Sequence, residues 1–321
     1  MAEPPFIRTV LGDIAPDDLG VCYAHEHIII DASVATLRYP AFHLESVEKA
    51  VAELATFHAA GGRAVVDAMP CDAGRNVLKL ADISRATSVH IIAPTGIHLE
   101  QYYDPGHWSK RVSGSQLADL FVADIETGID RFDYGGPLVD RTEHHAGVIK
   151  VAGGRDRLSD HERKVFAAAG EAHRQTGCPI LTHTEQGTAA LEQIACFERA
   201  GVPLGKVVLS HTDRLPDPAY HREILSSGVR VEYDSCFRWK DRADNPSLDL
   251  VLELIDAFPG QILLGMDAAR PGYWKHHGGE PGLAFLLGPF SERLRAGGLT
   301  DQHWQRIFVE NPRAWLRFER G

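Results

Sequence analysis

The run VCYAHEHIII at residues 21–30 is apolar and β-branched at both ends and polar in its centre, where His25, Glu26 and His27 follow one another. In a strand, side chains alternate with a period of 2, so both imidazoles share one face and Glu26 takes the other. Two neutral ring nitrogens on one face suit a metal ion. Taken alone, the pair reads equally well as hydrogen-bonded core histidines.

Seven further short apolar runs follow: RAVVDAM from Arg63, VHIIAPTGI from Val89, GVIKVAG from Gly147, PILTHTEQG from Pro179, KVVLSH from Lys206, RVEYD from Arg230 and ILLGMD from Ile262. Helical patterns separate most of them, among them SVEKAVAELATFHAAGG from Ser46, RKVFAAAGEAHRQTGC from Arg163 and LDLVLELIDAF from Leu248, with Gly or Pro at their ends. Eight strands alternating with helices give an α/β fold, either a closed parallel barrel or a doubly wound open sheet. His25, His27, Lys150, His183, His211 and Asp267 fall within or at the C-terminal ends of five different strands, and a closed barrel brings those ends to one mouth. No G-x-G-x-x-G follows the first strand, which argues against a dinucleotide-binding sheet. The expected fold is a (β/α)8 TIM barrel forming a single domain over residues 1–321. The weakly patterned stretch 101–114 follows the third strand, where barrel enzymes carry active-site loops.

Lys150 lies in GVIKVAG between Ile149 and Val151, and a lysine in a buried strand needs a reason. Desolvation favours its neutral amine, which can act as a nucleophile or take up carbon dioxide to give a carbamate, an anionic oxygen ligand. The alternative is a lysine whose head reaches water or an ion pair at the rim. His183, His211 and Asp267 each read singly as isolated structural polar residues. Their conjunction with His25, His27 and Lys150 at the strand ends of one barrel is what points to a metal site.

Composition narrows the partners. Asp and Glu number 44 against 33 Lys and Arg, a net charge of −11, which disfavours nucleic acid or an anionic membrane surface. Cys22, Cys71, Cys178, Cys196 and Cys236 form no C-x-x-C pair, the N-terminus shows no signal-peptide pattern, and no stretch of ~18 apolar residues occurs. The expectation is a soluble, unprocessed cytoplasmic protein acting on a small molecule, with a homodimer left open.

The chain resembles the phosphotriesterase family of the amidohydrolase superfamily through AHEH at 24–27, VIKVA at 148–152, THTEQGT at 182–188, LSHTDR at 209–214 and GMDAAR at 265–270, with NPRAWLRF at 311–318 similar to that family's last helix. The resemblance implies two divalent metal ions, with His25, His27 and Asp267 on the more buried one and His183 and His211 on the more exposed one. It also implies a carboxylated Lys150 and a hydroxide bridging both, with Asp267 as proton acceptor. Zinc is the default for such ligands, and manganese or cobalt also fits.

Lactones, organophosphate triesters and N-acyl amides share this machinery. The loops YDSCFRWKD at 233–241 and DAARPGYWKHHGGEPG at 267–282 gather Arg238, Lys240, Arg270, Tyr273 and Lys275 into a basic patch on an acidic protein, which suits an anionic substrate. The pattern is similar to the branch that opens phosphorylated sugar lactones, where residues matching Lys240, Arg270 and Tyr273 clasp the phosphate. SCFRW at 235–239 departs from that branch and leaves the lysine register open. Arg270 and Tyr273 also read as loop braces, and His98, Tyr102 and Tyr103 as substrate contacts or packing, with packing favoured for at least one tyrosine. His276 and His277 read as solvated loop residues. The rival of a different class is a barrel that binds metal or ligand without turnover.

Overall fold

The computed structural model describes residues 4–318. A hairpin, β1 (Ile7–Thr9) and β2 (Gly12–Ile14), precedes the barrel. The barrel strands are β3 (Cys22–Glu26), β4 (Ala64–Asp67), β5 (His90–Ile92) with β6 (Pro94–Ile97), β7 (Val148–Gly153), β8 (Ile180–Thr184), β9 (Val207–Ser210), β10 (Arg230–Tyr233) and β11 (Ile262–Leu264). The eight expected runs are all present. The third is split at Ala93, so that β5 pairs with β4 and β6 with β7, while the Gly147 N–H donates to the Ala93 carbonyl at 2.8 Å.

Every barrel pairing is parallel. The ring closes between β11 and β3, where the N–H groups of Met266 and Asp267 both donate to the His25 carbonyl, at 3.2 and 3.1 Å. Glu26 reinforces the seam: one carboxylate oxygen accepts from Met266 N–H at 2.8 Å and the other from Ala268 N–H at 3.3 Å. The chain is thus an α/β (β/α)8 barrel.

Its lower interior is apolar, built from Ala24, Val66, Ile92, Val148, Leu181, Val208 and Leu263 and plugged by Ile7, Leu19, Trp315 and Leu316. A larger apolar layer lies between the strands and the surrounding helices. The helix Val47–Ala59 buries Ala50, Leu54 and Phe57, one stripe at helical spacing, and Ser46 caps it by accepting from Lys49 N–H. The helix Asp160–Thr176 starts at a Ser159–Glu162 capping box and stops at Gly177, whose φ of 73° is the left-handed conformation that ends helices.

Along β7 the alternation is regular: Val148 joins the interior, Ile149 and Val151 face the helices, and Lys150 lies between them on the inner face. Because only the lower layers are filled by apolar side chains, the polar residues of the upper layers meet across the mouth.

Candidate metal centre

Three backbone irregularities aim the ligand-type residues inward. The register of β3 against β4 slips between Tyr23 and Glu26, a β-bulge, so that Ala24 belongs to the interior layer and His25 still faces the cavity. His211 follows Ser210 in the left-handed conformation, φ 65°, which turns a residue at the end of β9 toward the mouth. Asp267, beyond β11, has a φ of 47°. Non-glycine residues held there are strained, and such strain gathers at functional sites.

The histidines form a continuous cluster. Ring centroids are 5.4 Å apart for His25 and His27, 4.8 Å for His25 and His211, and 4.4 Å for His183 and His211. His25, His27 and Asp267 each present a ligand atom within 4.8 Å of the others. One Asp267 oxygen lies 3.3 Å from His27 Nε2 and 3.8 Å from His25 Nε2. Its other oxygen accepts from Arg214 at 2.7 Å and Arg238 at 2.8 Å. Burial would raise the Asp267 carboxyl, but the His27 contact and the charges of His211, Arg214 and His25 hold it well below the usual range.

Three of the histidines have one ring nitrogen beside a polar side chain, as oriented metal ligands do. His25 Nδ1 meets Ser210 Oγ at 3.0 Å, His211 Nδ1 lies 2.5 Å from Asp234, and His183 Nε2 contacts Glu185 at 2.7 Å. That contact, opposed by burial, takes the Glu185 carboxyl down to about 2. Burial lowers His25, His183 and His211 below the ordinary imidazole value, which keeps their lone pairs free.

Lys150 is wholly buried, and its Nζ has no hydrogen-bond partner. Burial brings its pKa down to about 8, opposed by Glu232, Asp267 and Asp234. An unpartnered amine beneath four histidines and a carboxylate fits a residue completed by a further group. The donor set present therefore fits divalent cations.

All six ligand-type residues expected from sequence thus lie at one mouth, and five of them, all but the deeper Lys150, line a cavity of about 200 Å³. Arg270 and Tyr273 line it too. Arg270 is exposed and stacks over Phe42 at 4.9 Å, and Tyr273 packs edge-on against Phe237 at 4.8 Å. Lys240 is not among the lining residues; its ammonium bonds Asp241 at 2.5 Å. Arg238 occupies the wall instead, over the rings of Phe237 and Tyr273 at 5.0 and 5.8 Å. Tyr102 lines the cavity beside His98, whereas Tyr103 is packed inside, its hydroxyl donating to the Cys71 carbonyl and accepting from His98 N–H.

Sequence reasoning missed Arg214, Ser210, Glu185, Glu232 and Asp234. The two carboxylates of RVEYD carried the same signal as Lys150, a charge inside an apolar strand.

With the site in view, comparison with known proteins is decisive. The phosphotriesterase family model matches residues 5–316. The chain belongs to the phosphotriesterase family. It is accordingly a metal-dependent hydrolase on a (β/α)8 barrel. It is 32% identical to a phospho-furanose lactonase of Mycoplasmopsis agalactiae, an alignment covering 99% of this chain and 93% of the relative. The crystal structure of an amidohydrolase from Mycoplasma synoviae superposes with a TM-score of 0.95 at 32% identity, covering 99% of this chain and 93% of that one. A lactonase from Listeria monocytogenes gives a TM-score of 0.89 at 30% identity, covering 98% and 100%. The five cysteines are free, and no helix among the described residues is long and apolar enough to cross a membrane.

Proposed function

We propose that this hydrolase opens the ring of a phosphorylated sugar 1,4-lactone at a binuclear metal centre. The observation that carries the reading is the convergence of the ligand set and a buried, unpartnered Lys150 on one cavity whose rim is cationic. The names of the relatives from Mycoplasmopsis agalactiae and Listeria monocytogenes support the lactone.

His25, His27 and Asp267 would hold one cation and His183 and His211 the other. Zinc suits these donors best, with manganese or cobalt as alternatives. Two cations supply Lewis acidity toward a carbonyl and acidify a shared water. The neutral amine of Lys150 would add carbon dioxide, forming an N–C bond and releasing one proton, and the carbamate so formed would supply anionic oxygen donors to the cations. The lowered pKa of Lys150 makes that amine accessible near neutral pH.

Asp267 is the proton acceptor. Against burial, the His27 contact and the charges of His211 and Arg214 hold it ionised, so it can take the proton lost as the acyl carbon is attacked. The ring C–O bond then breaks, leaving a carboxylate and a hydroxyl. Tyr102 and Phe42 wall the cavity beside the reacting end. Arg238, Arg270 and Tyr273 receive the phosphate, with Arg238 standing where Lys240 was read from sequence. A neutral triester gains nothing from such a rim, and a barrel that only binds has no use for an ionised acceptor beside its metals.

Arg270 acts far from the bond being broken. Arg270→Met is therefore expected to raise KM for a phosphorylated lactone by the equivalent of about 1.5–3 kcal/mol while hardly touching the unphosphorylated one. Equal losses on both substrates, or a wild type that prefers neutral lactones or triesters, would refute the phosphate assignment.

A further inference from the structure

Strand β10 supplies none of the six ligand-type residues, yet it and the residue that follows it place two wholly buried carboxylates, Glu232 and Asp234, below the mouth. Asp234 has an evident neighbour in His211 Nδ1 at 2.5 Å. Glu232 is not bonded in this way: neither of its oxygens has a hydrogen-bond partner, and the opposing charge is that of Lys150. A buried carboxylate without hydrogen bonds is costly, and unless something else depends on it an apolar side chain would serve the fold better.

The surroundings show what depends on it. Its Oε2 lies 3.5 Å from His25 Nδ1. Room for the carboxylate is made by Gly265 of β11's C-terminal extension, where an added Cβ would stand 2.6 Å from Glu232 Oε1 and 2.7 Å from the His25 carbonyl oxygen. With His25, His211 and Asp234, Glu232 forms a group whose ligand atoms lie within 4.8 Å of one another. It therefore stands behind the histidine ring, on the side opposite the Nε2 that faces Asp267.

We infer that Glu232 is a positioning residue of the metal centre: its charge backs the Nδ1 edge of His25 and so fixes the ring with Nε2 turned toward the more buried cation. Ser210 Oγ, 3.0 Å from the same Nδ1, sets the ring's direction, and Glu232 adds the negative charge that makes the imidazole a stronger donor. Without the cation, burial and the neighbouring Asp234 push the Glu232 carboxyl well above the usual carboxylate range, with Lys150 opposing them, so the group is then a load on the fold.

This inference rests on the metal reading above, and its test keeps the two apart. Zinc retention is measured by competition with a chelator for wild type and Glu232→Leu, and the thermal midpoint of each is measured after the metal has been stripped. The variant is expected to lose 10- to 100-fold in affinity at the tighter site, the usual cost of removing such a partner. Its stripped form is expected to melt at the same or a higher temperature than stripped wild type. A purely structural residue would behave otherwise, so a lower stripped midpoint overturns the inference. So does affinity within about 3-fold of wild type. Should the leucine variant fail to fold, Glu232→Gln keeps the volume and removes the charge, and unchanged zinc affinity in it is equally fatal. Wild type that retains no zinc refutes the binuclear reading itself.

Discussion

Asp267 carries two duties on one carboxylate. The inner oxygen faces His25 and His27, and the outer one is shared by Arg214 and Arg238. An asparagine of the same shape keeps an oxygen for the inner contacts but cannot accept a proton. Asp267→Asn should therefore fold and retain much of its metal while kcat falls by ~10²- to 10⁴-fold, with KM little changed. Steady-state kinetics on a metal-replete variant decides it, and activity within about 3-fold of wild type would remove Asp267 from the proton path. Glu26, between the two histidines and pointing the other way, adds a separate control. Its carboxylate accepts from the backbone N–H groups of Met266 and Ala268, so it braces the seam that carries Asp267.

At the level of strands and turns, the sequence made the eight runs legible because parallel, doubly buried strands must be apolar, and it made Lys150 conspicuous for the same reason. What it hid were departures from regularity. Alternation placed His25 and His27 together correctly, but the bulge that lets Ala24 and His25 both serve the interior has no signature in AHEH. The left-handed turn at His211 was equally invisible, and after β10 it is Arg238, on the helical turn Cys236–Trp239, that lines the cavity and not Lys240. The turn after β9 is held by a residue far from either motif. His221, buried on the helix Pro218–Ser226, accepts from the Tyr233 hydroxyl at Nδ1 (2.8 Å), and its Nε2–H is shared between the carbonyls of Thr212 and Leu215, each at 3.1 Å. Burial lowers its pKa below the ordinary imidazole value, against its backbone contacts. The unfolded chain then binds the extra proton, so this contribution to stability is full above about pH 6.5 and is lost as pH falls below it. His221→Asn, compared with wild type at equal metal loading, should flatten the dependence of unfolding free energy on pH below 6.5 by up to ~1.4 kcal/mol per pH unit. An unchanged slope in denaturant titrations would show that His221 does not titrate with folding.

For the molecule as a whole, an acidic protein gathers four largely buried charged side chains at the barrel mouth. Lys150, Glu232, Asp234 and Asp267 meet above an apolar plug, and several of their atoms, together with His27 Nδ1, lack hydrogen-bond partners. Such a core is expensive to fold unless cations complete it, which makes the barrel's stability depend on the same ions as its chemistry. Linkage sets the size: ions that bind only the folded chain add RT ln(1 + [M]/Kd), about 4 kcal/mol at a thousandfold excess over Kd. Each further tenfold in free zinc adds about 1.4 kcal/mol per bound ion, so the thermal midpoint should climb in proportion to the logarithm of free metal and fall by several degrees on chelation. Two ions bound with similar affinity give twice the slope of one, and the slope thus counts them without reference to turnover. Calorimetry across a series of buffered zinc concentrations reads it directly: a two-ion slope supports the bridged pair, a one-ion slope reduces the centre to a single site, and a midpoint indifferent to chelator would mean that the buried charges are balanced by something other than metal.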